Sequence, residues 1–209
     1  MTARSVRSTA EPEFFDDLTR LPAGFLYRPA ILPADEEAAL VAEIAGLPFQ
    51  PFEFHGFLAK RRVVSFGWRY DYARKCLGEA AALPAFLAHL LKRAAHAASA
   101  SSDAFQQALV TEYAPGATIG WHRDKAEFGE ILAVSLSSAC LLRFRRRRGE
   151  EWERQSLAVQ PRSLYVLRGP VRSEWQHSIP PVTALRYSVT FRSLARSLVP
   201  PPVRGPRTG

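Results

Sequence analysis

Residues 106–125 read QQALVTEYAPGATIGWHRDK, and this stretch decides the fold, because two β-prone runs are divided by a Pro-Gly turn. From Gln106 onward the same texture continues through ILAVSLS, CLLRFRRRR, WERQSLAV, SLYVLRG, EWQHSI and ALRYSVTFR, with turn residues between the runs. Many short strands at such spacing predict a sandwich or barrel. Upstream, Leu40, Val41, Ile44 and Leu47 of ADEEAALVAEIAGL fall at helical spacing behind an acidic first turn. A second helix is expected from Pro84 through AFLAHLLKRAAHAA, with Phe86, Leu87, Leu90, Leu91 and Ala94 as its apolar stripe, and His89 and His96 as packing or surface residues. The expected fold class is mainly β with flanking helices, α+β, with the helices against the outside of the strands.

With 209 residues, 47% hydrophobic, the chain supports one well-buried core and not two. We divide it into a flexible N-terminus (1–12), an N-terminal region of helices (13–104), a β core (105–195) and a basic tail rich in Pro, Arg and Gly (196–209). The 28 Lys and Arg against 20 Asp and Glu leave a net charge of +8, which favours a polyanionic partner, nucleic acid first. Cys76 and Cys140 have neither the number nor the spacing of a zinc site or a disulfide framework. They suit a reducing cytoplasm and are expected to be buried or inert. No apolar run reaches membrane-spanning length, so a soluble cytoplasmic protein is expected.

Inside the opening stretch, His122 and Asp124 stand two apart on a predicted strand, so imidazole and carboxylate would share a face. Such a pair suits a metal, although a His-x-Asp triplet is short and recurs as a hydrogen-bonded surface pair. In RYSVTFR, Arg186, Ser188, Thr190 and Arg192 fall on one face and Tyr187, Val189 and Phe191 on the other. This is either an ordinary half-exposed strand or one whose arginines face a barrel interior. The second arrangement demands an anion, and a dicarboxylate would give each arginine a planar, charge-assisted contact. His177, in SEWQHSI, is a third possible ligand, on a predicted strand where Trp175 and Ile179 share its face.

This order of elements resembles the AlkB family of iron(II)- and 2-oxoglutarate-dependent dioxygenases. The resemblance runs from about Leu109 to Arg192: YAPG, then His122-x-Asp124, then His177, then Arg186 and Arg192 in an R-x5-R strand. It implies a double-stranded β-helix (jelly-roll) core with an N-terminal substrate lid. His122, Asp124 and His177 would hold Fe(II) as a facial triad, leaving positions open for 2-oxoglutarate and O2. Arg186 would pair with the distal carboxylate of 2-oxoglutarate, Arg192 would lie near the chelating one, and Tyr113 would donate a hydrogen bond to it. Thr111 and Ser188 stand near the cosubstrate where many members have Asn, keeping a hydroxyl but losing the amide's reach. Some members place an acid two residues after the metal-binding Asp to read the base edge. Here that position is Ala126, with Glu127 following, so base preference does not carry over.

The segment FEFHGFLAKRRVVSFGWRYDY looks like the family's lid. On one strand Phe66, Trp68, Tyr70 and Tyr72 would form an aromatic face, either stacking a base or packing in the core, with Arg61 and Arg62 beside it. RFRRRRGEEWER reads as a hairpin with five arginines from Arg143 to Arg148 opposing three acids, so Arg145 and Arg146 are candidate phosphate contacts. The implied reaction is oxidative demethylation of an N-alkylated base in DNA or RNA, yielding formaldehyde, succinate and CO2. A monomer without an obligate protein partner is expected. Competing readings are the same oxygenase chemistry on a protein or small molecule, and a catalytically silent nucleic-acid-binding module.

Overall fold

In the computed structural model, which describes residues 21–54, 57–71, 74 and 76–195, the chain begins with β1 (Phe25–Arg28), α1 (Ala34–Ala45), β2 (Gln50–Phe54) and β3 (Phe57–Phe66). A hairpin of β4 (Trp68–Asp71) and β5 (Cys76–Glu79) leads to α2 (Ala85–Ala97). The remaining strands are β6 (Gln107–Tyr113), β7 (Ile119–His122), β8 (Phe128–Leu136), β9 (Cys140–Arg148), β10 (Glu151–Val159) and β11 (Ser163–Leu167). A short α3 (Pro170–Ser173) then precedes β12 (Gln176–Ile179) and β13 (Arg186–Leu194).

Seven strands form one sheet in the order β1-β11-β8-β13-β6-β3-β2, and four form the second in the order β10-β9-β12-β7. From β6 on, the chain passes back and forth between these sheets, which is the jelly roll the sequence leads one to expect. Period-two alternation dictates how each large-sheet strand divides. On β13, Tyr187, Val189 and Phe191 are at most 3% exposed and face the helices, while Arg186, Ser188, Thr190 and Arg192 face the interior. On β8, Leu132, Val134 and Leu136 face the helices and Ile131, Ala133 and Ser135 face inward. Burial on both faces explains why ILAVSLS reads as a nearly continuous apolar run.

Two cores result. Outside the large sheet, Leu87, Leu90, Leu91 and Ala94 of α2 and Ile44 of α1 pack on Val110, Leu132, Val134 and Val189. Each buried Leu contributes roughly 1.5–3 kcal/mol. Between the sheets, Leu142, Phe144, Leu157, Val159, Trp175 and Ile179 form a second apolar cluster.

The N-terminal region does more than supply helices: β1 extends one edge of the large sheet against β11, and β2 and β3 extend the other against β6. Pro84 is the cap of α2 rather than its first turn, since its ψ of 150° is extended and the helical turn starts at Ala85. His89 and His96 are exposed. Cys140 is buried as expected, whereas Cys76 is exposed, because β4 and β5 form a hairpin outside the sandwich. The N-terminus (1–12) and basic tail (196–209) lie outside the described residues. Among the described residues, no helix is long and apolar enough to cross a membrane.

Candidate metal centre and cosubstrate cavity

β7 and β12 run antiparallel with His122 opposite His177 and Ile119 opposite Ile179, so β7 carries one extra residue between the two pairs. This bulge re-aims the strand end, letting Ile119 and His122, three apart, both face inward. Asp124 is not on the strand: β7 ends at His122, and the carboxylate reaches the same point from the following loop. Charge, rather than strand alternation, holds it. Arg192 Nη2 lies 3.1 Å from Asp124 Oδ1, and Arg172 Nη1 lies 3.5 Å from Oδ2.

One donor atom from each of His122, Asp124 and His177 lies within 4.8 Å of the others, a spacing that would hold a metal ion. The imidazole centroids are 4.2 Å apart. His122 Nδ1 lies 2.8 Å from the Gly120 carbonyl oxygen. A carbonyl only accepts, so the proton belongs on Nδ1 and the Nε2 lone pair is left for a metal. Burial lowers the His177 pKa to about 3, with His122 adding to the effect and Asp124 opposing it. Burial alone would raise the Asp124 pKa, but Arg192, His177, His122 and Arg172 together hold it well below the usual carboxylate range. Neutral imidazole beside ionised carboxylate is the donor set Fe(II) takes.

Arg172 straps the loop that follows Asp124. Its Nε donates to the Gly129 carbonyl at 2.8 Å and its Nη2 donates to those of Phe128 at 2.7 Å and Lys125 at 3.2 Å.

The trio opens into a cavity of about 1100 Å³. Its wall comes from opposed pairs on β6 and β13: Thr111 against Ser188, Leu109 against Thr190, and Gln107 against Arg192. Arg186, opposite Tyr113, is fully buried, with its guanidinium 5.1 Å from the Tyr113 ring. Its Nε donates to Ser135 Oγ at 3.1 Å and its guanidinium interacts with the Tyr113 phenol, but among the described residues Nη1 and Nη2 meet no partner at full hydrogen-bond geometry, nor does Arg192 Nε. A buried guanidinium left with unpaired N–H groups is costly, and a carboxylate of the right reach would satisfy both Arg186 amino groups at once. The residues therefore fit both Fe(II) and a 2-oxoglutarate carboxylate. Burial raises the pKa values of Tyr113 and Tyr165, so both phenols keep their protons as hydrogen-bond donors.

The expected substrate residues divide. Arg61 and Tyr70 line the cavity, with Lys125 4.7 Å above the Tyr70 ring, and the Glu127 charge helps to raise the Tyr70 pKa after burial. Arg62 and Phe66 do not line it, because the odd-numbered residues Arg61, Val63 and Ser65 of β3 take the cavity side. Phe66 packs in the outer core, and Arg62 forms a two-point pair with Glu112 at 2.8 and 2.9 Å. Nor is there one aromatic strand face: Gly67, at φ +72°, ends β3, and Trp68 starts β4 without lining the cavity. Tyr72 lies outside the described residues. Arg145 sits on the second sheet, whereas Arg146 is neutralised by Glu153 at 2.8 Å and Glu174 at 2.6 Å.

Sequence reading missed Gln107, Ser135, Tyr165 and Arg172. Gln107 shares the strand alternation of Leu109, Thr111 and Tyr113 and was findable from it; Arg172, on a single helical turn, carried no periodic signal.

Residues 48–192 match the 2OG-Fe(II) oxygenase superfamily. The chain is 30% identical over 193 residues to the alkylated DNA repair protein ALKBH8 homolog of Arabidopsis thaliana, covering 79% of this chain and 53% of that protein. It is 29% identical over 106 residues to the uncharacterized protein L905 of Acanthamoeba polyphaga mimivirus, covering 44% of this chain and 50% of that one. The chain thus spans about half the length of these curated relatives. The solved structure of OsALKBH1 has the same fold, with a TM-score of 0.64 at 14% identity, covering 83% of this chain and 98% of the other.

Proposed function

Because this chain belongs to the 2OG-Fe(II) oxygenase superfamily, within its AlkB family, we propose that it oxidatively demethylates N-alkylated bases in DNA or RNA. The observation that carries the reading is the fully buried Arg186, whose two amino groups meet no partner at full hydrogen-bond geometry among the described residues, in the same fold as a His122–Asp124–His177 cluster on an open cavity. Nucleic acid as substrate is supported by the net charge of +8 and by the kinship with a plant protein named for alkylated DNA repair.

His122, Asp124 and His177 hold Fe(II), and Arg186 anchors the distal carboxylate of 2-oxoglutarate. Tyr113 donates to the cosubstrate, Thr111 and Ser188 line its bed, and Arg192 faces its chelating end while also holding Asp124. When bound, Fe(II) with 2-oxoglutarate and O2 supplies the oxidant that hydroxylates an N-linked methyl group, and the product releases formaldehyde. In the cavity lining, Tyr70 with Lys125 4.7 Å from its ring would meet a turned-out base and Arg61 its flanking phosphate. Glu127, close enough to influence Tyr70, is the acid available to the base edge.

The test is mass spectrometry on single-stranded oligonucleotides carrying 1-methyladenine or 3-methylcytosine, incubated with protein, Fe(II), 2-oxoglutarate and air, with a no-iron control. Loss of the methyl mass only in the complete mixture is the expected result. Succinate formed while the methyl group stays would refute the substrate class and leave the oxygenase. No change in either favours a silent binding module.

A further inference from the structure

The hairpin β9–β10 sorts its charges by face. Arg146 and Arg148, on one side, both pair with Glu153. On the other side stand Arg143, Arg145 and Arg147 of β9 with Trp152 and Arg154 of β10, and across β12 the indole of Trp121 on β7. None of these four arginines has an ion pair among the described residues; their hydrogen bonds go to neutral oxygens. Arg143 Nε donates to Ser178 Oγ, Arg145 Nε to Gln176 Oε1, Arg147 Nη1 to the Glu150 carbonyl and Arg154 Nη1 to the Trp152 carbonyl. The guanidiniums instead stack on the indoles. Arg143 and Arg145 lie 5.1 and 4.5 Å from the Trp121 ring, and Arg145 and Arg147 lie 4.3 and 5.3 Å from the Trp152 ring.

The result is a ladder, Arg143–Trp121–Arg145–Trp152–Arg147, with Arg154 beside it. Four like charges on one sheet face repel, and their contacts with two indoles and neutral oxygens do not neutralise them. Packing on the indoles restrains the guanidiniums of Arg143, Arg145 and Arg147, so less side-chain freedom remains to be lost on binding an anion. Trp121 also lines the cavity and directly precedes His122, so the ladder starts at the rim of the candidate active site. From β7 to β10 it crosses three strand spacings, roughly 14 Å. At about 3.4 Å per phosphate in a stacked strand, that is room for about four phosphates.

We propose that this Arg–Trp ladder on the outer face of the four-stranded sheet is a binding track for single-stranded nucleic acid, carrying the strand that flanks the nucleotide in the cavity. The inference rests on the nucleic-acid reading above, and the test keeps the two apart by using unmodified strands without iron. Fluorescence anisotropy with a labelled thymidine 15-mer and a labelled 3-mer compares the wild-type chain with Arg147→Gln/Arg154→Gln, both residues being exposed and remote from the cavity. Two lost phosphate contacts should reduce the slope of log affinity against log salt by about 1.4, at about 0.7 per contact. We expect roughly tenfold weaker 15-mer binding in 0.1 M salt and unchanged 3-mer binding. Trp152→Ala should weaken the 15-mer as well, by freeing Arg145 and Arg147.

Unchanged slope and affinity in the double variant overturn the ladder, as does an equal loss for the 3-mer. Poly-glutamate that displaces the 15-mer at equal charge concentration overturns the choice of nucleic acid as partner. Ladder-dependent binding without demethylation leaves the track standing and removes the proposed reaction. Demethylation that is indifferent to the double variant does the reverse.

Discussion

Arg186→Met separates binding from folding more cleanly than any other change in the site. In the free protein the substitution removes two amino groups that meet no partner at full hydrogen-bond geometry among the described residues, one bond to Ser135 and the guanidinium's contact with Tyr113. Each buried unsatisfied donor costs about 1–3 kcal/mol, and the lost bond contributes about 1 kcal/mol, so the variant should be at least as stable as the wild type. Methionine fills the arm's volume without a charge to solvate. With 2-oxoglutarate the order reverses, since two charge-assisted hydrogen bonds at about 1.5–3 kcal/mol each are lost. At about 1.4 kcal/mol per decade, that weakens cosubstrate affinity by roughly a hundredfold or more. The assay is thermal unfolding with Mn(II) in place of Fe(II), to prevent turnover, with and without 2-oxoglutarate at 100 times its wild-type dissociation constant. Ligand at that level stabilises the wild type by about 2.7 kcal/mol, a rise of roughly 5–11 °C for a domain of this size. The variant should shift by about 1 °C or less. A variant that is markedly less stable without ligand, yet keeps the full shift with it, would refute the assignment of Arg186.

Arg172→Lys cannot span the three carbonyls of Gly129, Phe128 and Lys125 while reaching Asp124, so Mn(II) affinity measured by calorimetry should fall about 10–100-fold; unchanged affinity would show that the loop holds itself. Arg62→Gln acts on the helix side of the sheet, on a half-exposed pair with Glu112, and should cost at most about 1 kcal/mol in urea unfolding with no loss of oligonucleotide binding. Gly67→Ala places a methyl group against the Gln106 carbonyl at φ +72°, and should cost upward of about 1 kcal/mol while displacing the β4–β5 hairpin; the reading fails if stability and oligonucleotide affinity both match the wild type.

What was legible in the sequence is what strand periodicity encodes. The two faces of RYSVTFR were separable because alternation on a flanked central strand is enforced by burial on both sides; the run of β segments after Gln106 pointed to a sandwich or barrel, and the jelly roll came from the resemblance to the AlkB family. The choice for Phe66 between stacking a base and packing in the core stayed open, and Arg62 was expected beside the substrate, because the phase of β3 is set by its pairing with β6, which aligns Arg61 with Tyr113, and no local signal reports that register. Asp124 was expected on a strand that ends two residues earlier, yet it converges with the histidines because two arginines distant in the chain draw it there. Arg146 showed its charge but not its partners, since Glu174 comes from the turn before β12. β1 is only four residues long, too short for its pattern to stand out.

The pairing of His122 with His177 also bears on how the molecule assembles. β7 has a single neighbour, β12, and closes the small sheet at its edge with only four residues. An ion held by one ligand from each of these strands, and a third from the loop beyond β7, would be a staple across a short edge seam of the sandwich. Loading and closure then become one event: the unfolded chain offers no such cluster, and an emptied site loosens the edge it sits on. A chelator would accordingly act first as a local solvent of structure, exposing the unpaired backbone of a short edge to proteases and to other strands.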